Sequence, residues 1–250
     1  MFSFHSTAVP AASKQTYDRQ PIVAVTLVTI FSCLLLLPLV ACGQATEKTK
    51  KNDPHRWDKQ IAAFEKADQE KAPPKNGILF VGSSSIRHWN VEKSFPSMPV
   101  INRGFGGSEI SDSIFFADRI IIKHQPRTIV FYAGDNDLAR GKSSQQVVAD
   151  YQAFVKKLHA ALPESKIVFV AIKPSIARWK LIESIRQANK QIQQITMTDP
   201  LQVFLDVDTP MIGADGKPKP ELFVKDGLHL NVAGYKLWNS LLTPILNSSK

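Results

Sequence analysis

Cysteine is nearly absent from this 250-residue chain, which carries only Cys33 and Cys42. Cys33 lies inside an uncharged apolar run, Ile22 to Val40, that follows a polar stretch with Lys14 and Arg19. Such a run reads as a signal-type segment and stands apart from the fold. Once it is removed, the mature monomer can form no disulfide, and cysteine catalysis and thiolate metal sites are excluded. Internal repeats are missing, as is a long apolar lid segment in the mature part. The chain is basic, with a net charge of +9. Removing residues 1–41 takes away Lys14, Arg19 and Asp18, which leaves 29 basic and 21 acidic residues, or +8. No nucleic-acid-binding motif and no stripe of clustered Lys/Arg with aromatics accompanies that charge, so nucleic acid is not an expected partner. A basic surface could meet anionic headgroups or polyanionic envelope polymers, but an ordinary soluble basic surface is the reading preferred to either.

What is present begins with an address. Leu39-Val40-Ala41-Cys42-Gly43 resembles a bacterial lipoprotein lipobox. The resemblance implies cleavage before Cys42, a diacylglyceryl thioether on it, and a membrane-anchored protein of the bacterial cell envelope facing the periplasm or exterior. The alternative is an uncleaved anchor, because the apolar run is nearly long enough to span a bilayer. Residues 42–56 are polar, with Lys48, Lys50 and Lys51 close together, and read as a flexible tether. Residues 57–250 are then one domain.

The rest of the chain is organised around Gly77-Ile78-Leu79-Phe80-Val81-Gly82-Ser83-Ser84. Four apolar residues bounded by glycine fit a strand covered on both faces, running into a tight turn and a short helix. Before it, Asp53-Pro54 reads as a helix start, with Trp57, Ile61 and Phe64 on one face. After it come strands over Pro99–Asn102, Thr128–Ala133, Lys166–Ile172 and Leu201–Val207. Helices between them carry Ile110, Ile114 and Ile121, then Val147, Tyr151, Phe154, Leu158 and Leu162, then Ile182, Ile185, Ile192 and Ile195. Ser143 with Gln146 reads as a capping box, and Asn231 as the cap of a last helix through about Leu242. Strands alternating with helices predict a flavodoxin-like three-layer α/β/α sandwich on a five-stranded parallel sheet, in the order 2-1-3-4-5.

In a parallel sheet all strand ends share one rim. Four polar clusters should therefore converge there: Ser83 to Ser85, Gly104 to Ser108, Gly134 to Asp137, and Asp226 to His229. A serine, a donor-rich glycine loop, an asparagine and an Asp/His pair are the parts of acyl transfer. The three-residue separation of Asp226 and His229 places both side chains on one side of a turn. Asp226 can then hold Nδ1–H and leave Nε2 free to take a proton. A metal site of Asp135, Asp137, Asp226 and His229 is conceivable, but nothing in their spacing asks for one; no metal and no cofactor is expected. Arg103, beside the glycine loop, could read an anionic group on a substrate. Ser175, Arg178 and Trp179 follow the fourth strand and could line a substrate pocket, or could equally form a surface turn and helix start.

These blocks resemble the SGNH (GDSL) hydrolase superfamily, over about Ile78 to Gly234. The resemblance places the nucleophile on Ser84 in Gly82-Ser83-Ser84, where Ser83 replaces the family's usual Asp. Asn102-Arg103-Gly104-Phe105-Gly106-Gly107 matches the second block and puts an oxyanion N–H on Gly107, with Gly104 the other candidate. Gly134-Asp135-Asn136-Asp137 makes the Asn136 amide a further donor beside the Ser84 N–H, and Asp226 and His229 complete the catalytic set. The implied activity is a serine esterase for small acyl groups, O-acetyl on carbohydrate included. A phospholipase or thioesterase with the same triad, and a non-catalytic envelope-binding lipoprotein, are the alternatives.

Overall fold

The computed structural model describes residues 53–248; the signal-type segment, Cys42 and the tether through residue 52 lie outside the described residues. Five short segments form the sheet: β1 (Ile78–Gly82), β2 (Val100–Gly104), β3 (Thr128–Tyr132), β4 (Lys166–Val170) and β5 (Gln202–Leu205). All pairings are parallel, in the expected order β2-β1-β3-β4-β5. The helices are α1 (Asp58–Glu70), α2 (Ser84–Arg87), α3 (Val91–Ser94), α4 (Ile110–Phe115), α5 (Ala117–Ile120), α6 (Asp135–Ala139), α7 (Ser144–Ala161), α8 (Ile182–Thr196), α9 (Asp208–Met211) and α10 (Val232–Asn247).

Every residue of β1 and β3 is buried, which is why both read as unbroken apolar runs rather than alternating ones. Successive side chains point to opposite faces. Leu79, Val81, Ile129, Phe131, Ile167 and Phe169 meet α1, α4, α5, α7 and α8 on one side. Ile78, Phe80, Val130, Tyr132, Val168 and Val170 meet Trp89, Phe95 and the Trp238 and Leu242 face of α10 on the other. Two apolar layers thus sandwich the sheet.

β1 ends where it does because of Gly82. Its φ is +132°, and a Cβ there would stand 1.9 Å from the Tyr132 carbonyl oxygen. That close approach lets the Ser83 N–H donate to Tyr132 O (2.9 Å), while Gly82 O accepts from the Phe105 N–H (2.9 Å). The exits of β1, β2 and β3 are tied together at the point where the strand order reverses, which is the crevice of an open α/β sheet.

Several elements depart from the periodicity. The helix expected through Ile110, Ile114 and Ile121 is split into α4, α5 and a 3-10 turn at Ile122–His124. At the break Phe116 is drawn wholly into the core, its ring 4.8 Å from Phe115 and 6.1 Å from Phe105. β4 stops at Val170 rather than Ile172, because the Asn189 side chain takes over the Ile172 backbone through bonds of 2.8 and 2.9 Å. The capping box at Ser143 and the Asn231 cap are present, and the last helix continues to Asn247.

The N-terminal helix is bound into the domain. Residues 53–56, read as the end of the tether, fold: Pro54–Trp57 is a 3-10 turn capped by Asp53, and Arg56 reaches Asp112 at 2.7 Å. On α1, Ile61 is fully buried and Asp68 pairs with Arg103, with Lys123 (2.7 Å) and with His124 (3.5 Å). Arg103 is 7% exposed and lies over the Phe64 ring at 5.1 Å. The reading of Arg103 as a reader of substrate charge is therefore corrected. In a two-sided buried sheet its side chain falls under α1, and its charge answers a carboxylate of that helix. Burial and the Arg103 charge, against the pull of Asp68, push His124 down to about 4. Removing one member of a buried pair leaves the other uncompensated, at a cost of about 3–5 kcal/mol. Asp68→Ala should lower unfolding free energy by about 3 kcal/mol in a denaturant titration. A loss under about 1 kcal/mol would mean that α1 is held by apolar contact alone.

Candidate active site

Ser84 opens α2 directly after the Gly82 turn. Its Oγ stands 2.9 Å from His229 Nε2, across a separation of 145 residues. His229 Nδ1 is 2.6 Å from Asp226 Oδ2. The other carboxylate oxygen of Asp226 accepts from the Leu228 N–H at 2.8 Å and the His229 N–H at 2.9 Å. Burial pushes the Asp226 pKa up, but the bonds from the His229 side chain and from those two backbone N–H groups outweigh it and hold the carboxyl at about 2. An ionised acceptor at Nδ1 fixes the tautomer in which Nε2 has a lone pair facing the serine hydroxyl.

The loop that carries this pair is locked locally. The Val224 N–H donates to His229 O (2.9 Å), and the Gly227 N–H donates to Val224 O (2.9 Å). Asn231 caps α10 and also donates to Glu221 O (2.8 Å) and Phe223 O (3.0 Å). The imidazole is thus held by backbone geometry on both sides.

The glycine loop packs against Ser84 from the β2 side. Asn102 donates to Ile86 O (2.8 Å) and Trp89 O (2.9 Å), while its Oδ1 accepts from the Gly104 N–H (2.8 Å). Gly104 is thereby removed as an oxyanion donor. It serves packing instead, since a Cβ there would stand 2.3 Å from Arg87 N. Gly106 lies beside Ser84; a Cβ on it would be 3.8 Å from Ser84 Cβ. Gly107 follows, its carbonyl held by Arg140 at 2.8 Å, with the Trp57 ring packed beside it. Among the described residues neither the Ser84 nor the Gly107 N–H has an acceptor.

Asn136 sits in the first turn of α6 and is 7% exposed. Its Nδ2 donates to Ser108 O at 3.0 Å, and its Oδ1 accepts from Arg178 at 2.8 Å. Arg178 lies 2.9 Å from Asp135, which also faces Lys173 at 3.3 Å. Asp137 turns the other way, to Lys142 (2.9 Å) and the Ile110 N–H (3.2 Å). Burial, against Lys142 and with Glu109, pushes Asp137 up to about 6. The two aspartates thus answer cations of different elements and do not converge with Asp226. Among the described residues no group of three or more His, Cys, Asp or Glu is placed to hold a metal ion.

Ser175 is buried at 2% exposure. Trp179 packs on the first core layer, with Lys217 at 4.9 Å and Arg186 at 6.0 Å from its ring; none of these contacts involves Ser84 or His229. Sequence reasoning missed His88, whose ring lies edge-on to His229 at 5.3 Å. Its position four residues after Ser84, on one helical turn, was the available signal. Burial, then the neighbouring His229 and Arg87, push the His88 pKa down. Beyond it an open groove of about 460 Å³ runs between α2–α3 and α10, lined by His88, Trp89, Lys93, Val232, Tyr235 and Lys236 among others.

The arrangement places a serine hydroxyl, an imidazole paired with a carboxylate, and N–H donors unpaired among the described residues side by side. The profile of the GDSL-like lipase/acylhydrolase family matches residues 84–237, more than half of the chain. A GDSL-like lipase from Bacteroides thetaiotaomicron superposes with a TM-score of 0.65 at 19% identity, over 79% of this chain and 98% of that one. A lipase/acylhydrolase from Enterococcus faecalis gives 0.58 at 17% identity, over 70% and 96%. A carbohydrate esterase family 3 protein from Talaromyces cellulolyticus gives 0.56 at 17%, over 68% and 96%. Among curated proteins no significant match is found. Likeness at these identities speaks for the fold, and the family profile carries the assignment: the chain belongs to the GDSL-like lipase/acylhydrolase family of SGNH hydrolases and is an ester hydrolase.

Proposed function

We propose that the protein cleaves small-acyl carboxylic esters by a Ser84–His229–Asp226 mechanism. The observation that carries the reading is the continuous hydrogen-bonded chain from Ser84 Oγ through the imidazole to Asp226. Ser84 Oγ attacks the ester carbonyl carbon as its proton passes to His229 Nε2. The C–O bond to the alcohol then breaks, and His229 returns that proton to the leaving oxygen. Water attacks the acyl–Ser84 ester with the same base, releasing the acid and restoring the serine. The Ser84 and Gly107 N–H groups and the second N–H of Asn136 receive the oxyanion. One such donor typically supplies about 3 kcal/mol in the transition state.

For the alcohol part we propose a hydroxylated group such as an O-acetylated carbohydrate. The groove that starts at His88 supports this, because it sets the Trp89 and Tyr235 rings beside the polar side chains of Asn90, Lys93, Ser94, Lys236 and Asn239, and a carbohydrate esterase is among the proteins sharing the fold. A second reading, a lysophospholipase or thioesterase, draws on a different observation. Exposed Ile176 and Val224 lie against the Asp226–His229 loop, Ile176 beside Gly227 and Val224 bonded to the His229 carbonyl, and exposed Val232 follows it in the chain. An acyl series from two to twelve carbons on one alcohol separates them: rates falling with length favour the first, rates rising with length the second.

The lipobox reading leads to a further proposal, that lipid on Cys42 anchors the protein to a membrane of the envelope. Cys42→Ser should abolish incorporation of labelled palmitate and release the protein from the membrane fraction. Equal labelling of wild type and variant would remove the anchor from the account.

Catalytic roles are tested by kinetics on purified protein. Ser84→Ala should lower kcat for a short-chain ester by at least about 10³-fold while the unfolding midpoint is kept. Asp226→Asn should cost about 10³–10⁴-fold, because an amide no longer selects the Nδ1–H tautomer. With Asp226 held at about 2, it stays ionised across the working range. No limb of the wild-type pH–rate profile between about pH 4 and 9 should then belong to it. Undiminished turnover in Ser84→Ala would refute the assignment.

A further inference from the structure

The Asn136 amide is clamped from both ends. A side-chain amide offers two N–H donors and one carbonyl acceptor. One N–H is taken by Ser108 O and the carbonyl is taken by Arg178, which leaves the second N–H for a substrate oxygen. Turning the amide over would set Oδ1 against the Ser108 carbonyl and Nδ2 against a guanidinium. Both contacts would be repulsive, so the Ser108 carbonyl and Arg178 together decide which way the amide faces.

Arg178 is itself anchored from below. One guanidinium nitrogen lies 2.9 Å from Asp135 Oδ2. That carboxylate, 3% exposed, is shared with Lys173 Nζ at 3.3 Å, and Lys173 also reaches the Tyr132 hydroxyl at 3.0 Å. Asp135 is shared between Arg178 and Lys173, burial pushes the Lys173 pKa down, and the Arg178 guanidinium does not deprotonate in proteins. An N–H donated into an amide carbonyl draws electron density away from the amide nitrogen. In a site with little water this strengthens the N–H on the far side as a donor.

We infer that Arg178 is a positioning residue for this reaction: it orients and polarises the Asn136 amide toward the oxyanion, with Asp135, Lys173 and Tyr132 as its buried support. The inference rests on the proposed roles of Ser84 and Asn136. It differs from the earlier reading of Arg178 as a substrate contact, because the effect passes through another side chain.

A double-mutant cycle on an uncharged substrate, p-nitrophenyl acetate, tests it. Asn136→Ala should lower kcat by about 10²–10³-fold. Arg178→Met should lower kcat by about 10–10²-fold with KM within about twofold, since only part of one donor's effect is lost. The double variant should be no slower than Asn136→Ala, because the effect of Arg178 has no route left. Arg178→Lys keeps a cation against Asp135, but its single nitrogen does not reach Asp135 and Asn136 together. It should fold and fall between Arg178→Met and wild type, and it carries the same cycle if the Met variant unfolds. Multiplying losses in the double variant, unchanged kcat in Arg178→Met, or a raised KM at constant kcat would each overturn the inference. Wild type that neither turns over short-chain esters nor reacts with a fluorophosphonate would instead remove the reading of Ser84 itself, and the inference with it.

Discussion

At the end of β1 the chain passes so close to the Tyr132 carbonyl that no side chain fits, and Gly82 is the residue that allows it. That contact aligns the exits of three strands. It sets Ser83 into its bond with β3, starts α2 on Ser84, and draws Phe105 and the glycine loop up to β1. The sheet order then does the rest: β2 and β3 flank β1, so the loop after one and the helix after the other face the same serine. The Asp226–His229 loop comes from far along the chain. It is a rigid unit of its own, closed by backbone bonds and by Asn231, and needs only to dock against the rim.

Polarity at the rim divides into two kinds. Asp226 and His229 are partly exposed and positioned by backbone N–H groups, which suits the proton exchange proposed for them. Asp135, Lys173 and Tyr132 are deeply buried and answer one another. A buried ionic cluster is weak evidence for stability, because desolvation offsets most of its attraction. Its location behind Asn136 is what the proposed positioning role of Arg178 draws on, since the cluster holds the guanidinium against the Asn136 carbonyl. Asp137 and Lys142 form a third group that ties α6 to the start of α4, and they take no part in the rim.

How much of this could be read from residues alone follows from the range of each interaction. The strands were legible because β1, β3 and β4 are buried on both faces and so stand out as apolar runs. Strand ends were less so: β4 stops early because of Asn189, a residue in the next helix with no local mark of its purpose. The tautomer-setting spacing of Asp226 and His229 is local and readable, as is the Asn231 cap. Arg103 misled because an arginine beside a glycine loop looks like a ligand contact, whereas its partner Asp68 lies 35 residues earlier on a helix. For Arg178 the sequence leaves a pocket contact and a surface turn equally open; that it addresses Asn136 and Asp135 depends on the turn after β4, which no pattern announces.

One hydroxyl made unusually reactive by its neighbours is the centre of the account. Peptide mapping by mass spectrometry after brief reaction with a fluorophosphonate measures this directly. The account predicts one adduct per chain, on the peptide containing Ser84, with labelling slowed by His229→Ala. Labelling on a different residue, or at the rate of an ordinary surface serine, would contradict it.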